Sequence, residues 1–198
     1  MIGRPHQSFS VYHTAYMAKR KPPPHASTPL PRRARSEIRL RQVPGKQQWE
    51  LVHPRSVRDR AEDLEEVRAM IDLGEEEIAT EELRWLLQGC TDFIEAHKML
   101  GELALTAEDF KLARAHFGYA WDIGVAALPD KELPGPLAYE RPSNQPFFEA
   151  AKGLAWSLIQ LGMGEKAREI LDRMLRLDPS DPLGAAEMRA QTLRPADK

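Results

Sequence analysis

Three copies of one helical pattern constrain the fold of this chain more than any other feature. In each copy an alanine is followed by apolar residues four and seven positions later, and these offsets place the three side chains on one stripe of an α-helix. The first two alanines are 34 residues apart, and the second and third are 54 apart. The stripes are Ala79, Leu83 and Leu86; Ala113, Phe117 and Ala120; and Ala167, Leu171 and Met174. Such repetition indicates helical units that bury their apolar faces against neighbours.

A second helix is predicted upstream of each stripe. Twelve positions before each alanine the residue is small or branched, and nine positions before it the residue is apolar. These pairs are Val67 and Met70, Gly101 and Ala104, and Ala155 and Leu158. Each copy is therefore predicted to form a helical hairpin. We expect helices over 57–73, 77–89, 91–105, 106–128, 146–162, 164–177 and 181–193, with Thr91 as one N-cap and a capping box from Thr106 to Asp109.

This frame resembles the tetratricopeptide repeat, a helix-turn-helix unit of 34 residues. The residues that carry the resemblance are Leu154, Ala155, Leu158, Gly162, Ala167, Leu171, Met174 and Pro179 in the third copy, and Leu100, Gly101, Ala113, Phe117 and Ala120 in the second. The first copy departs from the pattern with Asp63 and Glu66 at positions that are usually apolar. The resemblance implies an all-α fold over residues 56–198: a short right-handed α-solenoid of about three helical hairpins plus a C-terminal capping helix.

The segments that precede the repeats differ from them in composition. Residues 1–36 are rich in Pro, His, Ser, Lys and Arg, and we predict a disordered basic Pro-rich arm because few bulky apolar residues offset the entropy cost of ordering it. Within it, Met17 has the surroundings of a natural translation start, so Met1 and Met17 both stay open as the first residue. Residues 37–55 alternate around a Pro-Gly pair, which favours a small hairpin or an extended segment.

An insertion separates the second and third copies. The longer spacing before the third alanine places about 20 additional residues at 126–145, a stretch that contains several prolines. Long ordered loops are often functional, so one interpretation is a specialised loop that narrows a binding groove. A passive surface loop is the alternative, and the sequence leaves both open.

Charge is distributed unevenly along the chain, whose net charge is −2. Through Lys46 there are ten Lys and Arg against one acidic residue, whereas the remainder carries 18 basic and 29 acidic residues. The basic arm is predicted either to be a solubilising tail or to bind RNA through phosphate neutralisation. Its densest part is Arg32, Arg33, Arg35, Arg39 and Arg41. An acidic run is predicted to be a solvated face or a surface that receives this arm, and comprises Glu75, Glu76, Glu77, Glu81 and Glu82.

The resemblance also implies where a ligand would lie. In this family the first helix of each hairpin lines a concave face, and the corresponding mixture of charged and apolar side chains suits a peptide or protein segment. The predicted groove residues are Arg68, Asp72, Glu95, Lys98, Glu102, Lys152 and Trp156, with Ile71, Leu105, Glu149 and Ile159 beside them. Packing and pairing within single helices are the alternative roles for Trp156 and the two lysines.

The sequence offers little for catalysis. No Gly-rich phosphate loop, nucleophile elbow or metalloprotease signature is present, and we expect no enzyme activity and no cofactor. Cys90 is the single cysteine, so no internal disulfide forms. His97 and His116 lie in successive predicted helices, but two histidines without a third ligand favour ordinary packing over zinc binding.

Two functional hypotheses follow. The first is a cytoplasmic protein–protein interaction adaptor that binds an unidentified peptide or protein on the concave face of the repeat array. The second is an RNA- or ribosome-associated protein that docks through the basic arm. We expect no membrane partner, because no apolar run approaches about 18 residues and no apolar stretch follows the basic N-terminal residues.

Overall fold

A computed structural model of the chain describes residues 37–192. The predicted disordered arm, the Met17 start, and Arg32, Arg33 and Arg35 therefore lie outside the described residues.

The described chain begins with a β-hairpin. Strand β1, Arg39–Gln42, pairs antiparallel with strand β2, Trp49–Val52, and the turn between them is closed by the Val43 amide donating to the Gln48 carbonyl at 2.8 Å. Ile38, just before β1, and Leu51 on β2 are both buried in the main apolar cluster. A two-stranded sheet is marginal in water by itself, so this hairpin depends on its packing against the helices.

The rest of the described chain is mostly helical. Consecutive helices pack against one another from α2 to α8, and α4 also packs against α6. The helices are α1, Arg55–Arg58; α2, Ala61–Asp72; α3, Glu76–Gly89; α4, Ile94–Thr106; α5, Phe110–Ala126; α6, Gln145–Gln160; α7, Gly164–Leu177; and α8, Ala185–Gln191. Within residues 37–192, none of these helices has both the length and the apolar character needed to cross a bilayer.

Two of the predicted helix starts are wrong. Helix α4 begins at Ile94 after Phe93, so Thr91 is not its N-cap. Thr106 is the last residue of α4, where its hydroxyl donates to the Glu102 carbonyl, and so it does not open a capping box. Asp109 alone caps α5, because its carboxylate accepts the Leu112 amide at 3.0 Å.

The apolar stripes that were predicted from the repeat are buried at every position. Ala79, Ala113 and Ala167 are each 0% exposed. The six residues that follow them at +4 and +7 are also buried, namely Leu83, Leu86, Phe117, Ala120, Leu171 and Met174. Of the upstream positions, only Met70 is half-buried; the others are buried. The 3.6-residue periodicity therefore identified the faces that form the core.

Phe117 occupies the centre of the main cluster through an unusually close approach of helices. A Cβ atom built on Gly101 of α4 would lie 2.7 Å from the Phe117 ring, and one built on Gly153 of α6 would lie 2.5 Å from it. Real side chains do not tolerate such distances, so both positions require glycine for this packing. The ring thereby joins α5 to α4 and α6.

Candidate functional site

The predicted groove residues are contributed by α2, α4 and α6. Glu95, Lys98 and Glu102 follow one another at helical spacing along α4. Arg68 and Asp72 belong to α2, and Lys152 and Trp156 belong to α6. The structure brings some of these side chains into one ion-pair network and leaves others outside it.

Lys98 is the centre of the network. Its Nζ lies 2.9 Å from Glu149 Oε2 on α6, 3.2 Å from Glu95 Oε1 and 3.6 Å from Glu102 Oε1. Only 12% of the Lys98 side chain is exposed, so these contacts are poorly screened by water. The pairs within α4 match the helical spacing, whereas the contact with Glu149 joins α4 to α6.

Arg68 extends the network to α2. Its guanidinium donates to Glu95 Oε1 at 2.9 Å and to Glu65 Oε1 on its own helix at 2.5 Å. Glu95 is therefore shared between Arg68 and Lys98, and a continuous row of paired charges crosses three helices. Because each charge in this row has a partner, the row is an ordered polar surface.

Burial and the neighbouring charges raise the pKa values of Lys98, Glu102 and the adjacent Tyr139. Burial disfavours the ammonium form of Lys98, but the three surrounding carboxylates outweigh this effect and raise its pKa. Burial raises the pKa of Glu102, although Lys98 opposes the change. Burial also raises the pKa of the Tyr139 hydroxyl, and its hydrogen bond to Glu149 adds to the effect. Lys98 therefore stays charged throughout the physiological range.

Trp156 and Lys152 lie beside the network without joining it. Trp156 is 41% exposed, and Lys152 stands four residues earlier on α6, on the same side of the helix. Asp72 is exposed at the end of α2. Within residues 37–192, neither Lys152 nor Asp72 forms an ion pair, so the predicted groove set separates into a paired row and unpaired neighbours.

Of the five arginines predicted to bind nucleic acid, the structure describes Arg39 and Arg41, and the two have different surroundings. Arg41 on β1 pairs with Glu50 on β2, with Nη2 at 2.6 Å from Oε1. Arg39 is exposed and lines a cleft together with His53, Arg55 and Arg58. Arg41 is thus engaged within the hairpin, whereas Arg39 lies in a cleft that Glu37 also lines and in which Arg55 pairs with Asp59 at 3.4 Å.

The insertion between α5 and α6 is an ordered part of the structure. Leu137 forms a parallel bridge with Trp49 on β2, and the Trp49 amide donates to the Pro136 carbonyl at 2.8 Å. The amide of Tyr139 donates to Asp178 Oδ2 after α7, and its hydroxyl donates to Glu149 Oε1 at 3.0 Å. The insertion therefore covers the edge of β2 and reaches a residue of the charged row.

Asn144 fixes this arrangement, a role that the sequence pattern did not indicate. Its side chain is fully buried; Oδ1 accepts the Leu51 amide at 2.8 Å, and Nδ2 donates to the Trp49 carbonyl at 3.0 Å and the Ala138 carbonyl at 2.8 Å. Asparagine just before a helix ordinarily suggests an N-cap, but this side chain does not cap α6. It instead satisfies backbone groups on β2 and the insertion.

The two histidines approach each other between α4 and α5. The ring centroids of His97 and His116 are 5.8 Å apart, and Tyr119 lies 4.5 Å from His97. Burial and the neighbouring His116 lower the pKa of His97 to about 4, and burial followed by Arg84 lowers that of His116. In the described part of the chain, no three His, Cys, Asp or Glu side chains are placed to hold a metal ion.

Comparison with known proteins adds no assignment to this geometry. No protein-family model matches the chain, and no curated protein sequence matches it significantly.

Proposed function

We propose that this protein is a cytoplasmic adaptor whose helices α2 to α7 form three tetratricopeptide-like hairpins of a short right-handed α-solenoid, with α8 as a cap. The three buried stripes of one pattern and the successive packing of the helices support this architecture. In this proposal the first helices of the hairpins present a concave face to a peptide or protein segment. The role is binding, without catalysis or a cofactor.

The observation that carries the proposal is that one face of α4 and α6 holds both paired charges and an exposed, unpaired region. The charged row around Lys98 is already paired, whereas Trp156 exposes 41% of its surface beside an unpaired Lys152. Protein interfaces commonly consist of an apolar or aromatic anchor surrounded by polar residues, and an exposed tryptophan beside an ordered polar surface fits this description. The bound segment would place an apolar side chain against the Trp156 indole.

A peptide-library selection on the full-length protein tests the proposal. We expect a selected peptide to bind wild type and to bind Trp156→Ala about tenfold or more weakly, because anchor residues account for most interface energy. Tyr119→Ala is the matched control, since Tyr119 is another exposed aromatic, 47% exposed, but lies on α5. If both substitutions weaken peptide binding equally, or if neither weakens it, the assigned face is wrong.

A second candidate function, RNA binding through the basic arm, is favoured by one specific observation. Arg39 near the start of the described chain shares a cleft with Arg55 and Arg58 of α1, and these three arginines outnumber Glu37, the acidic residue that also lines it, so this part of the folded chain is basic as the arm is. RNA retention should then fall steeply between low and moderate salt. Pull-down from the native cell, with and without nuclease, separates the two functions: nuclease would release an RNA-dependent partner and leave a directly bound protein in place.

A further inference from the structure

A groove on another side of the molecule combines an apolar floor with an acidic rim. It is formed by α3, the C-terminal half of α4 and the start of α5, and its volume is about 360 Å³. The floor consists of aliphatic side chains, of which Leu112 is 41% exposed. The apolar lining residues are Leu100, Leu103, Ala104, Ala107 and Leu112.

The rim contributed by α3 carries unbalanced negative charge. Glu76, Glu77 and Glu81 all line the groove and are exposed, and none of them forms an ion pair with another residue of the range 37–192. Arg84 and His116 also line it; each lies further along its own helix, and burial, followed by the charge of Arg84, lowers the pKa of His116. The groove therefore has a strongly acidic portion and a basic end.

This groove is separate from the face proposed above. A residue in an α-helix is rotated by about 100° from its predecessor, so Leu100 and Ala104 lie on nearly the opposite side of α4 from Glu95, Lys98 and Glu102. A ligand on one face does not compete with a ligand on the other.

We infer that the α3–α4–α5 groove is a docking site for a short basic peptide segment of a partner protein, with aliphatic side chains on the leucine floor and Lys or Arg side chains against the glutamates. The charge complementarity selects this occupant, because three unpaired carboxylates repel an acidic segment and offer nothing to a purely apolar one. Aliphatic side chains lining the floor, Leu112 half-exposed among them, supply the apolar contact that exposed ion pairs alone lack.

Fluorescence anisotropy with full-length protein tests this site. The probe is a fluorescein-labelled peptide of Leu and Lys at helical spacing, and a second peptide has Glu in place of Lys. Wild type should bind the Lys peptide and not the Glu peptide. The double substitution Glu77→Lys with Glu81→Lys should weaken binding about tenfold, since each reversal replaces an attraction with a repulsion. Leu112→Ser should also weaken it.

The matched control is Glu62→Lys with Glu187→Lys, which changes net charge equally at exposed glutamates outside the groove. Affinity within twofold of wild type is expected, and equal weakening by both double variants would overturn the site in favour of bulk charge. Two further results would reassign the occupant. Self-association that Glu77→Lys with Glu81→Lys abolishes would indicate a second copy of the chain. Tenfold tighter probe binding after Arg32→Glu, Arg33→Glu and Arg35→Glu would indicate the chain's own arm.

Discussion

Adding one methyl group at Gly101 should destabilise the protein, although the same change stabilises most helices. The added Cβ would lie 2.7 Å from the ring of Phe117, which is 1% exposed and can move only by displacing other core side chains. Overpacking of this kind costs about 1–3 kcal/mol. The gain in helix propensity from glycine to alanine is about 0.5–1 kcal/mol. We therefore expect Gly101→Ala to lower the free energy of unfolding by about 1–2 kcal/mol.

Gly118 provides the matched control. It also lies inside a helix, but its added Cβ would meet only Leu154 Cδ1, at the ordinary contact distance of 3.8 Å. Gly118→Ala should therefore raise the free energy of unfolding by about 0.5–1 kcal/mol. The two alanine substitutions are chemically identical, so opposite signs would isolate the contribution of Phe117.

Equilibrium urea unfolding followed by far-UV circular dichroism measures both changes, provided that the m-values stay equal. For a chain of this size, each kcal/mol corresponds to a shift in Tm of about 2–4 °C. A Gly101→Ala protein as stable as wild type would refute the steric argument. In a Phe117→Leu background the smaller side chain leaves room, and Gly101→Ala should there become neutral or stabilising.

Three further predictions concern buried polar groups. Asn144→Ala should lower the free energy of unfolding by about 3 kcal/mol, because three backbone partners lose their hydrogen bonds. Gln47→Ala on the exposed turn is the control and should change the free energy of unfolding by less than about 0.5 kcal/mol. Urea unfolding measures both changes. Lys98→Met should lower the free energy of unfolding by about 3 kcal/mol, because it leaves three carboxylates near one another without the cation. Lys152→Met should lower it far less, and thermal unfolding compares the two variants. The pKa of His97 in the folded chain, about 4, lies below its ordinary 6.5, so the unfolded chain binds more protons between these values. The stability from this site is therefore complete above about pH 6.5 and is lost as pH falls towards 4, by about 3 kcal/mol at most, and His97→Gln should remove this part of the pH dependence of urea unfolding.

Each of these has a clear contrary outcome. Asn144→Ala with wild-type stability would mean that its three hydrogen bonds are replaced at no cost. Equal losses from the two lysine substitutions would show that pairing on α4 contributes nothing specific. An unchanged difference between pH 7 and pH 4 in His97→Gln would assign the acid sensitivity to other groups.

Periodicity predicted those features that depend on one helix alone. The buried stripes beginning at Ala79, Ala113 and Ala167 could be read from the sequence because every member lies within two turns of its alanine. Cap positions were harder, since Thr91, Thr106 and Asp109 are all acceptable N-caps locally. Packing of the core sets where α4 begins: its first residue is Ile94, which is fully buried.

Features that depend on two distant segments could not be predicted. The contact of Lys98 with Glu149 spans 51 residues and requires the relative placement of α4 and α6. The groove set followed from the resemblance to the tetratricopeptide repeat, which named Arg68, Lys98 and Glu149 as residues of one face but did not indicate that they pair across helices. Asn144 carries no local signal at all, because its three partners lie on β2 and the insertion.

The hydrogen bonds of Asn144 to the β-hairpin also set an order of events during folding. They join residues 93 and 95 positions apart in the chain, whereas the helices pack mainly against their neighbours in sequence. Closing so long a loop costs entropy before any contact compensates for it, and non-local pairings form slowly. The hairpin is therefore expected to dock after the helices have assembled. Until then the edge of β2 that the insertion later covers is open to strands of other molecules, so refolding yield should decrease at high protein concentration.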